Sequence, residues 1–323
     1  MFYNFTGKSG LQLPAISLGL WHNFGSVDSY EEATRMILRA FERGVTHFDL
    51  ANNYGPEPGS AESNFGRILK DNLAAHRDEM IISSKAGYRM WDGPYGDGSS
   101  RKYLISSLDQ SLKRMGLDYV DIFYSHRYDG VTPIEETAGA LVDIVRQGKA
   151  LYVGLSNYPA DKQRELHALL RAAGVPCLID QYKASMFNDG TLLENLPVSR
   201  EDGAGFICFS PLAQGLLTAR YFNGIPADSR AGRETGFLQL SDVTEERVAV
   251  ARQLAVIAER NGMTLPQLAL AWLLRHDGVT SVIIGASSVR QLDNNLDTLD
   301  CPDIPDSEMA VIASLVAQPG IRF

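Results

Sequence analysis

The sequence predicts an α/β fold, a closed (β/α)8 TIM barrel, from three observations. Short apolar runs alternate with amphipathic segments along almost the whole chain, at the spacing of β/α units. Eight such runs make a closed barrel, and 323 residues with 45% hydrophobic content suffice to bury one large core. Polar residues of catalytic type stand at or near the carboxyl ends of three runs, the edge on which β/α barrels assemble their sites. No linker interrupts the pattern, so residues 1–323 read as one barrel domain.

Taken in order, Phe2 to Phe5 and Leu11 to Leu13, joined around Gly7-Lys8-Ser9-Gly10, read as a β-hairpin. Strands are expected at Ile16 to Leu20, Thr46 to Asp49, Met80 to Ser84, Val120 to Tyr124, Tyr152 to Leu155, Cys177 to Gln181, Phe206 to Phe209 and Ser281 to Ile284. Between them, Tyr30 to Arg43, Lys102 to Met115 and Pro133 to Gln147 carry apolar residues at helical spacing. After Phe209 the rhythm breaks for about thirty residues, a length that usually marks a functional loop inside a compact domain. Two helices then follow in succession, Val243 to Asn261 and Leu265 to Arg275.

Composition excludes several function classes. A net charge of −9 argues against a nucleic-acid or anionic-membrane partner. Cys177, Cys208 and Cys301 are too few and too scattered for a disulfide framework or a metal cluster, which points to a reducing compartment. The start, MFYNFTGKSGLQLP, lacks a targeting pattern, and no apolar run approaches the ~20 residues that span a bilayer, so a soluble, cytoplasmic protein is expected. Neither GxGxxG after an early strand nor GxxxxGK[ST] occurs, which leaves a Rossmann fold and a P-loop without support.

The four residues Asp49, Tyr54, Lys85 and His126 describe a proton-delivery site. Asp49 ends Val45-Thr46-His47-Phe48, Lys85 ends Met80-Ile81-Ile82-Ser83-Ser84, His126 follows Val120-Asp121-Ile122-Phe123-Tyr124 at one remove, and Tyr54 lies in the loop beyond Asp49. Reduction of a carbonyl by hydride leaves an alkoxide that needs a proton, and a phenol with a pKa near ~10 is a weak acid at neutral pH. Lys85 is expected to stabilise the phenolate and lower the Tyr54 pKa, with Asp49 holding the lysine charged and His126 donating to the carbonyl oxygen. No metal is needed. Each residue alone has a blander reading, since a buried Lys–Asp pair is often structural and a Tyr or His at a strand end more often packs; the four together point to catalysis. A Schiff-base role for Lys85 would leave Tyr54 and the later FSPLAQGLLT run unexplained.

The segment Phe48 to Ser63, FDLANNYGPEPGSAES, resembles the aldo-keto reductase signature, with the Lys at the next strand and the His at the one after. The resemblance continues through Gly154-Leu155-Ser156-Asn157, Gln181, FSPLAQGLLT (Phe209 to Thr218) and IGASSVRQLDNN (Ile284 to Asn295). SLGLWHNFG, KAGYRMWDGPYG, SRKYL and SLDQSLKRMGLDYVDIFYSHR look most like the bacterial L-glyceraldehyde 3-phosphate reductase group, itself similar to the β-subunits of voltage-gated potassium channels. The resemblance implies a barrel closed at its bottom by the hairpin, a cofactor-covering loop after Phe209, and two extra helices, the second at Asp306 to Val316. It implies an NADPH-dependent reductase of small aldehydes, L-glyceraldehyde 3-phosphate and methylglyoxal foremost, and a homo-oligomer, tetramer or octamer. The alternative it carries is a cofactor-binding regulatory subunit like those of the channels. That branch tends to have Asn where this chain has His126, which favours the enzyme.

By the same resemblance, Ser156, Asn157 and Gln181 would hold the nicotinamide carboxamide, Phe209 would stack on the ring, and Trp21 and Asp49 would border it. The pyrophosphate would run along Ser210, Leu212, Gln214 and Gly215, with Arg220 and Arg230 as basic contacts. The adenosine end would meet Ser287, Gln291, Asn294 and Asn295 near a helix start. Two departures are present, Asn294 where the pattern usually has Glu and Ala286 where many members have Lys, so choice of the phosphorylated dinucleotide rests on Ser287, Arg230 and Arg290. The expected substrate pocket is Trp21, His22, Tyr54, Trp91 and His126, with Tyr95 nearby. Arg89, Arg127 and His22 are candidates for a substrate phosphate, against ordinary surface ion pairs for the two arginines. YKASMFND, after Gln181, departs from the reductase group.

Overall fold

The chain opens with a hairpin, β1 (Tyr3–Phe5) antiparallel to β2 (Gln12–Pro14), in a computed structural model that describes residues 1–323 except Asp228, Arg230 and 233–237. Its turn needs Gly7, whose φ is +58° and where a Cβ would stand 2.1 Å from the Gly203 carbonyl oxygen. That close approach lets the Lys8 N–H donate to Gly203 O at 2.8 Å, while Asn4 Nδ2 donates to Thr280 O at 2.9 Å. The hairpin therefore seals the end of the barrel at which the last two strands begin.

Eight parallel strands follow: β3 (Ile16–Gly19), β4 (His47–Asp49), β5 (Ile81–Ala86), β6 (Val120–Ser125), β7 (Ala150–Ser156), β8 (Ile179–Lys183), β9 (Gly205–Phe209) and β10 (Val279–Ile284). They pair in chain order, and β10 closes back onto β3. The predicted barrel is thus present, with shifts at strand ends. β5 reaches Ala86, because Lys85 pairs with Tyr124 and Ala86 with Ser125 on β6, so Lys85 lies within the ladder. β8 starts at Ile179, two residues later than expected, and runs to Lys183, which pairs with Phe209.

Helices wrap the barrel: α1 (Tyr30–Glu42), α2 (Ser60–Ile68), α3 (Arg101–Met115), α4 (Ile134–Arg146), α5 (Ala160–Ala172), α6 (Gly190–Glu194), α7 (Leu196–Asp202), α8 (Glu245–Arg260), α9 (Leu265–Leu274), α10 (Val289–Leu296) and α11 (Asp306–Val316). Side-chain caps fix several starts. Ser29, Ser100, Thr244, Thr264 and Ser288 each accept from a backbone N–H in the first turn of the helix that follows. The two successive helices before β10 and the helix at Asp306–Val316 stand where the sequence placed them. Among the described residues no helix is long and apolar enough to cross a membrane.

The pleat sends alternate residues to opposite sides of a strand. Gln181 of β8 reaches Asp49 across the barrel, whereas its neighbour Asp180 bonds to His167 of α5 in the helical layer. His167 is clamped there, Nε2 on Asp180 at 3.0 Å and Nδ1 on Asp202 at 2.7 Å. Cys177 stands beside them, and His167, Cys177 and Asp180 come within 4.8 Å of one another. Both imidazole nitrogens are engaged by carboxylates, which makes this an ion cluster tying α5 and α7 to β8. Burial, the largest single cause, would lower the His167 pKa; Asp180 and Cys177 together outweigh it and push the value up to about 12. A raised folded-state pKa stabilises fully below the unfolded value near ~6.5 and loses its effect as pH rises toward the folded one. Replacing His167→Gln should therefore destabilise by about 3–5 kcal/mol in urea unfolding near pH 6. The gap to the parent should narrow at pH ~9; a gap that widens with pH would contradict a charged imidazole.

Candidate active site

At the carboxyl edge of the barrel the register of three strands assembles an ion pair. Asp49, the last residue of β4, pairs with Ser83 of β5, and two residues on Lys85 emerges on the same side. Lys85 Nζ donates to Asp49 Oδ2 at 2.6 Å and to the Leu50 carbonyl at 2.7 Å. The other carboxylate oxygen, Oδ1, accepts from Ser83 Oγ at 2.7 Å and from Gln181 Nε2 at 3.0 Å. Both charged side chains are out of water, 0% exposed for Lys85 and 3% for Asp49. A buried pair is costly unless such further bonds satisfy it, and here they do.

Two rings complete the cluster. Lys85 Nζ lies 5.1 Å from the centroid of the Tyr54 ring, and the Tyr54 and His126 rings are 6.1 Å apart, edge to face. The structure thus brings the four predicted residues together from β4, β5, the loop after β4 and the end of β6. Trp21 stacks near Tyr54 at 6.0 Å, and His22 touches Trp21 at 4.3 Å. Behind β5, Ser84 points the other way and donates to the buried Glu62 of α2 at 2.6 Å, and Arg114 Nε donates to the same carboxylate at 2.7 Å. Glu62, within the signature segment, thereby anchors the strand that carries Lys85.

The electrostatics correct one expectation. Burial, then the Asp49 carboxylate, pushes the Tyr54 phenol well above its ordinary range, where lowering by Lys85 was expected. Lys85 itself is pulled down by burial against the opposing pull of Asp49. His126 is held well below the usual histidine range, first by burial and then by the charges of Lys85 and Arg127, so its imidazole is neutral. Its Nδ1 is buried and meets no hydrogen-bond partner among the described residues.

The loops above the barrel hold unusual backbone. Asn23, Asn157, Ser210, Ala213 and Gln214 are the non-glycine residues with positive φ among those described, and all five belong to loops at this edge. Such conformations are uncommon for L-residues and concentrate at ligand sites. Asn157 is held by its Nδ2 donating to His126 O at 3.0 Å and to Ser156 Oγ at 3.0 Å. Ser156 and Gln181 are register neighbours on β7 and β8. Phe209 closes β9 half-buried, packed from one side by the barrel interior, so it is not simply core. Beyond it Ser210, Leu212, Gln214 and Gly215 form one compact turn, with Ala213 N donating to Ser210 O and Gly215 N to Leu212 O.

Gln214 Oε1 and, on α10, Asn295 Nδ2 are buried side-chain atoms without a partner among the described residues. Buried polar atoms in folded proteins are generally satisfied, so each fits a polar group of a bound ligand. Ser287, exposed, is tied to Gln291 through its N–H at 2.8 Å and its hydroxyl at 2.9 Å. Asn294 points its Nδ2 toward Thr264 Oγ1, 3.5 Å away. Arg220 is exposed on a short turn, Arg290 is exposed on α10, and Arg230 lies outside the described residues.

On the substrate side, Trp91 packs on Tyr103 at 5.7 Å, and Tyr95 is exposed beneath Lys102. Tyr88, which sequence reasoning passed over, is the ring against His126, edge-on at 4.7 Å, and its carbonyl accepts from the Tyr103 hydroxyl. Its position three residues past Lys85 was the available signal. Arg127 donates to Gly87 O at 2.7 Å and to Asp97 at 2.8 Å and lies over the Tyr88 ring, while Arg89 pairs with Asp92. The ordinary ion pairs are therefore what the arginines make.

A parallel barrel with a Lys–Asp pair, a tyrosine and a neutral histidine at its mouth defines a class of oxidoreductase, and the chain belongs to the Aldo/keto reductase family, whose model matches residues 15–317. Over 324 aligned positions it is 53% identical to the L-glyceraldehyde 3-phosphate reductase of Escherichia coli (strain K12), covering 98% of this chain and 93% of that protein. The protein of the same name in Escherichia coli O157:H7 is 52% identical over the same span. The family works with a nicotinamide cofactor, which makes this chain a nicotinamide-dependent oxidoreductase.

Lys85→Met keeps an unbranched side chain, shorter by the Nζ atom, but leaves Asp49 without its cation, so unfolding should show a loss of about 3–5 kcal/mol. The double variant Lys85→Met/Asp49→Asn should recover part of that loss, because no unpaired charge remains. Simple additivity of the two single losses would show that the pair is not coupled.

Proposed function

We propose that the protein reduces small aldehydes to alcohols with NADPH, L-glyceraldehyde 3-phosphate first and methylglyoxal second, the whole barrel acting as one catalytic domain. What carries this reading is the buried Lys85–Asp49 pair set between Asp49's partners and the Tyr54 and His126 rings. The named relatives supply the substrate, and the donor set above the barrel suits a dinucleotide. Ser156, Asn157, Gln181 and Phe209 would hold its nicotinamide end, with Trp21 and Asp49 beside it. Ser210, Leu212, Gln214 and Gly215 would hold the pyrophosphate, and Arg220 and Arg230 are the basic contacts the resemblance assigns to it. Ser287, Gln291, Asn294 and Asn295 would hold the adenosine end. When bound, NADPH supplies the hydride that reduces the carbonyl carbon.

The residues of the chain supply the proton and the charge. Tyr54 keeps its phenol protonated across the neutral range, because burial and Asp49 oppose its ionisation. An alkoxide is a far stronger base than a phenolate, so it takes that proton despite the raised pKa, and the ammonium 5.1 Å from the ring stabilises the phenolate left behind. Neutral His126 donates one ring N–H to the carbonyl oxygen and so steadies the charge that gathers there. Asp49 keeps Lys85 in place throughout.

Tyr54→Phe preserves the ring and removes the acid. Aldehyde reduction should fall by at least ~10²–10⁴-fold, with NADPH affinity within a few-fold of the parent; near-parental turnover would exclude Tyr54 as the donor. With the Tyr54 pKa raised and the His126 pKa depressed, kcat for reduction should be level between pH ~6 and ~9 and fall only where the phenol ionises. An inflection near the usual histidine pKa, abolished in His126→Asn, would show that His126 acts as its cation instead.

A further inference from the structure

Beneath the catalytic residues the barrel interior holds a row of buried polar side chains that the chemistry above does not use. Ser281 of β10, Ser17 of β3, His47 of β4 and Ser83 of β5 are each 0% exposed. They touch in sequence: Ser281 Oγ to Ser17 Oγ at 2.7 Å, Ser17 Oγ to His47 Nδ1 at 2.9 Å, His47 Nε2 to Ser83 Oγ at 3.0 Å, and Ser83 Oγ to Asp49 Oδ1 at 2.7 Å. The pleat explains the row. His47 and Ser83 stand two residues before Asp49 and Lys85, on the same side of their strands and one layer deeper.

The proton inventory fixes the direction of every bond. A carboxylate paired with Lys85 only accepts, so the Ser83 hydroxyl spends its one proton on Asp49. Ser83 must then accept from His47, which places the imidazole proton on Nε2. The remaining ring nitrogen, Nδ1, is an acceptor and takes the Ser17 proton, and Ser17 in turn accepts from Ser281. Burial, the main cause, with Lys85 adding to it and Asp49 opposing, pulls the His47 pKa down to about 4, which agrees with a neutral ring. At the far end the one Ser281 proton has a second, longer acceptor in the Ala15 carbonyl at 3.3 Å, against 2.7 Å to Ser17 Oγ, and there the row ends in the barrel floor.

We propose that His47 and Ser83 are positioning residues of the reductase: with Ser17 and Ser281 they form a one-way hydrogen-bond chain whose every donor points toward Asp49, and they hold that carboxylate aimed at Lys85. The proposal rests on the reaction proposed above. Among the described residues Asp49 Oδ1 has one other donor, Gln181, whose amide is also in the expected nicotinamide subsite. The chain from below gives Asp49 a partner that cofactor binding does not touch. Hydrogen bonds in such a row polarise one another, so the last one is stronger than an isolated serine would make.

The test has two arms. In the parent protein, side-chain ¹⁵N NMR should show His47 with Nε2 protonated and Nδ1 bare from pH ~6 to ~8, assigned by loss of the signal in His47→Gln. An Nδ1–H tautomer or an imidazolium would overturn the chain, whatever the variants do. In kinetics, Ser83→Ala should lower kcat about tenfold through misplacement of Asp49 and Lys85, with KM for aldehyde and NADPH changed less than twofold. Ser83→Cys, with a weaker donor, should fall between, and Ser281→Ala, farthest from Asp49, should lose least. A parental kcat in Ser83→Ala, or losses in the series that track thermal stability instead of distance from Asp49, would overturn the positioning role. If the parent reduces no aldehyde, the proposed reaction and the catalytic role of the chain both fail, while the tautomer still decides whether the chain exists.

Discussion

The site depends on one buried ion pair. Lys85 and Asp49 come from adjacent strands and meet in a region that water does not reach, where either charge alone would be strongly unfavourable. The pair is tolerable because closure of the barrel brings the rest of its partners: the Leu50 carbonyl to the ammonium, Ser83 and Gln181 to the carboxylate. Gln181 lies far along the chain and reaches Asp49 only once β8 has taken its place in the ring of strands. Fold and site are therefore coupled, since a barrel that failed to close would leave the charges short of donors.

The pair also sets the protonation of its neighbours. The negative end adds to burial in keeping Tyr54 protonated, and the positive end adds to burial in keeping His126 neutral. An acid that holds its proton until a stronger base appears differs from one tuned toward neutral pH. It does not ionise idly, and its proton goes to an alkoxide in preference to water. A sequence shows that a lysine is near a tyrosine but not which charge the phenol feels more.

Above the pair, the loops are shaped in advance of any ligand. Among the described residues five non-glycine ones hold left-handed backbone there, and Asn157 is kept in place by a bond to the carbonyl of His126 itself. Backbone strain of that kind persists where the surrounding structure fixes it, and the rigid barrel below does so. The turn from Ser210 to Gly215 offers Gln214, and α10 offers Asn295, each with a buried polar atom unmet among the described residues. Tyr88 joins the carboxyl-edge cluster by a different route, pressed edge-on against His126 with Arg127 over its face.

The order of strands and helices was legible in the chain because each strand closes an apolar run and each long helix repeats its apolar residues at helical spacing. The four residues of the site were legible for a related reason: parallel strands present their last residues at one edge, so Asp49, Lys85 and His126 had to converge. Strand ends shifted by a residue or two, since ladders continue wherever a neighbour offers a partner, as Tyr124 does for Lys85. What only the tertiary structure decided was the polar interior. His47 and Ser83 sit inside apolar runs and look like filler in one dimension, and Asp180 is separated from Gln181 by nothing but the alternation of the strand. Closure turns His47, Ser83 and Gln181 inward, toward Asp49, and Asp180 outward, to His167. Their roles follow from distances across the barrel, and local patterning carries no record of them.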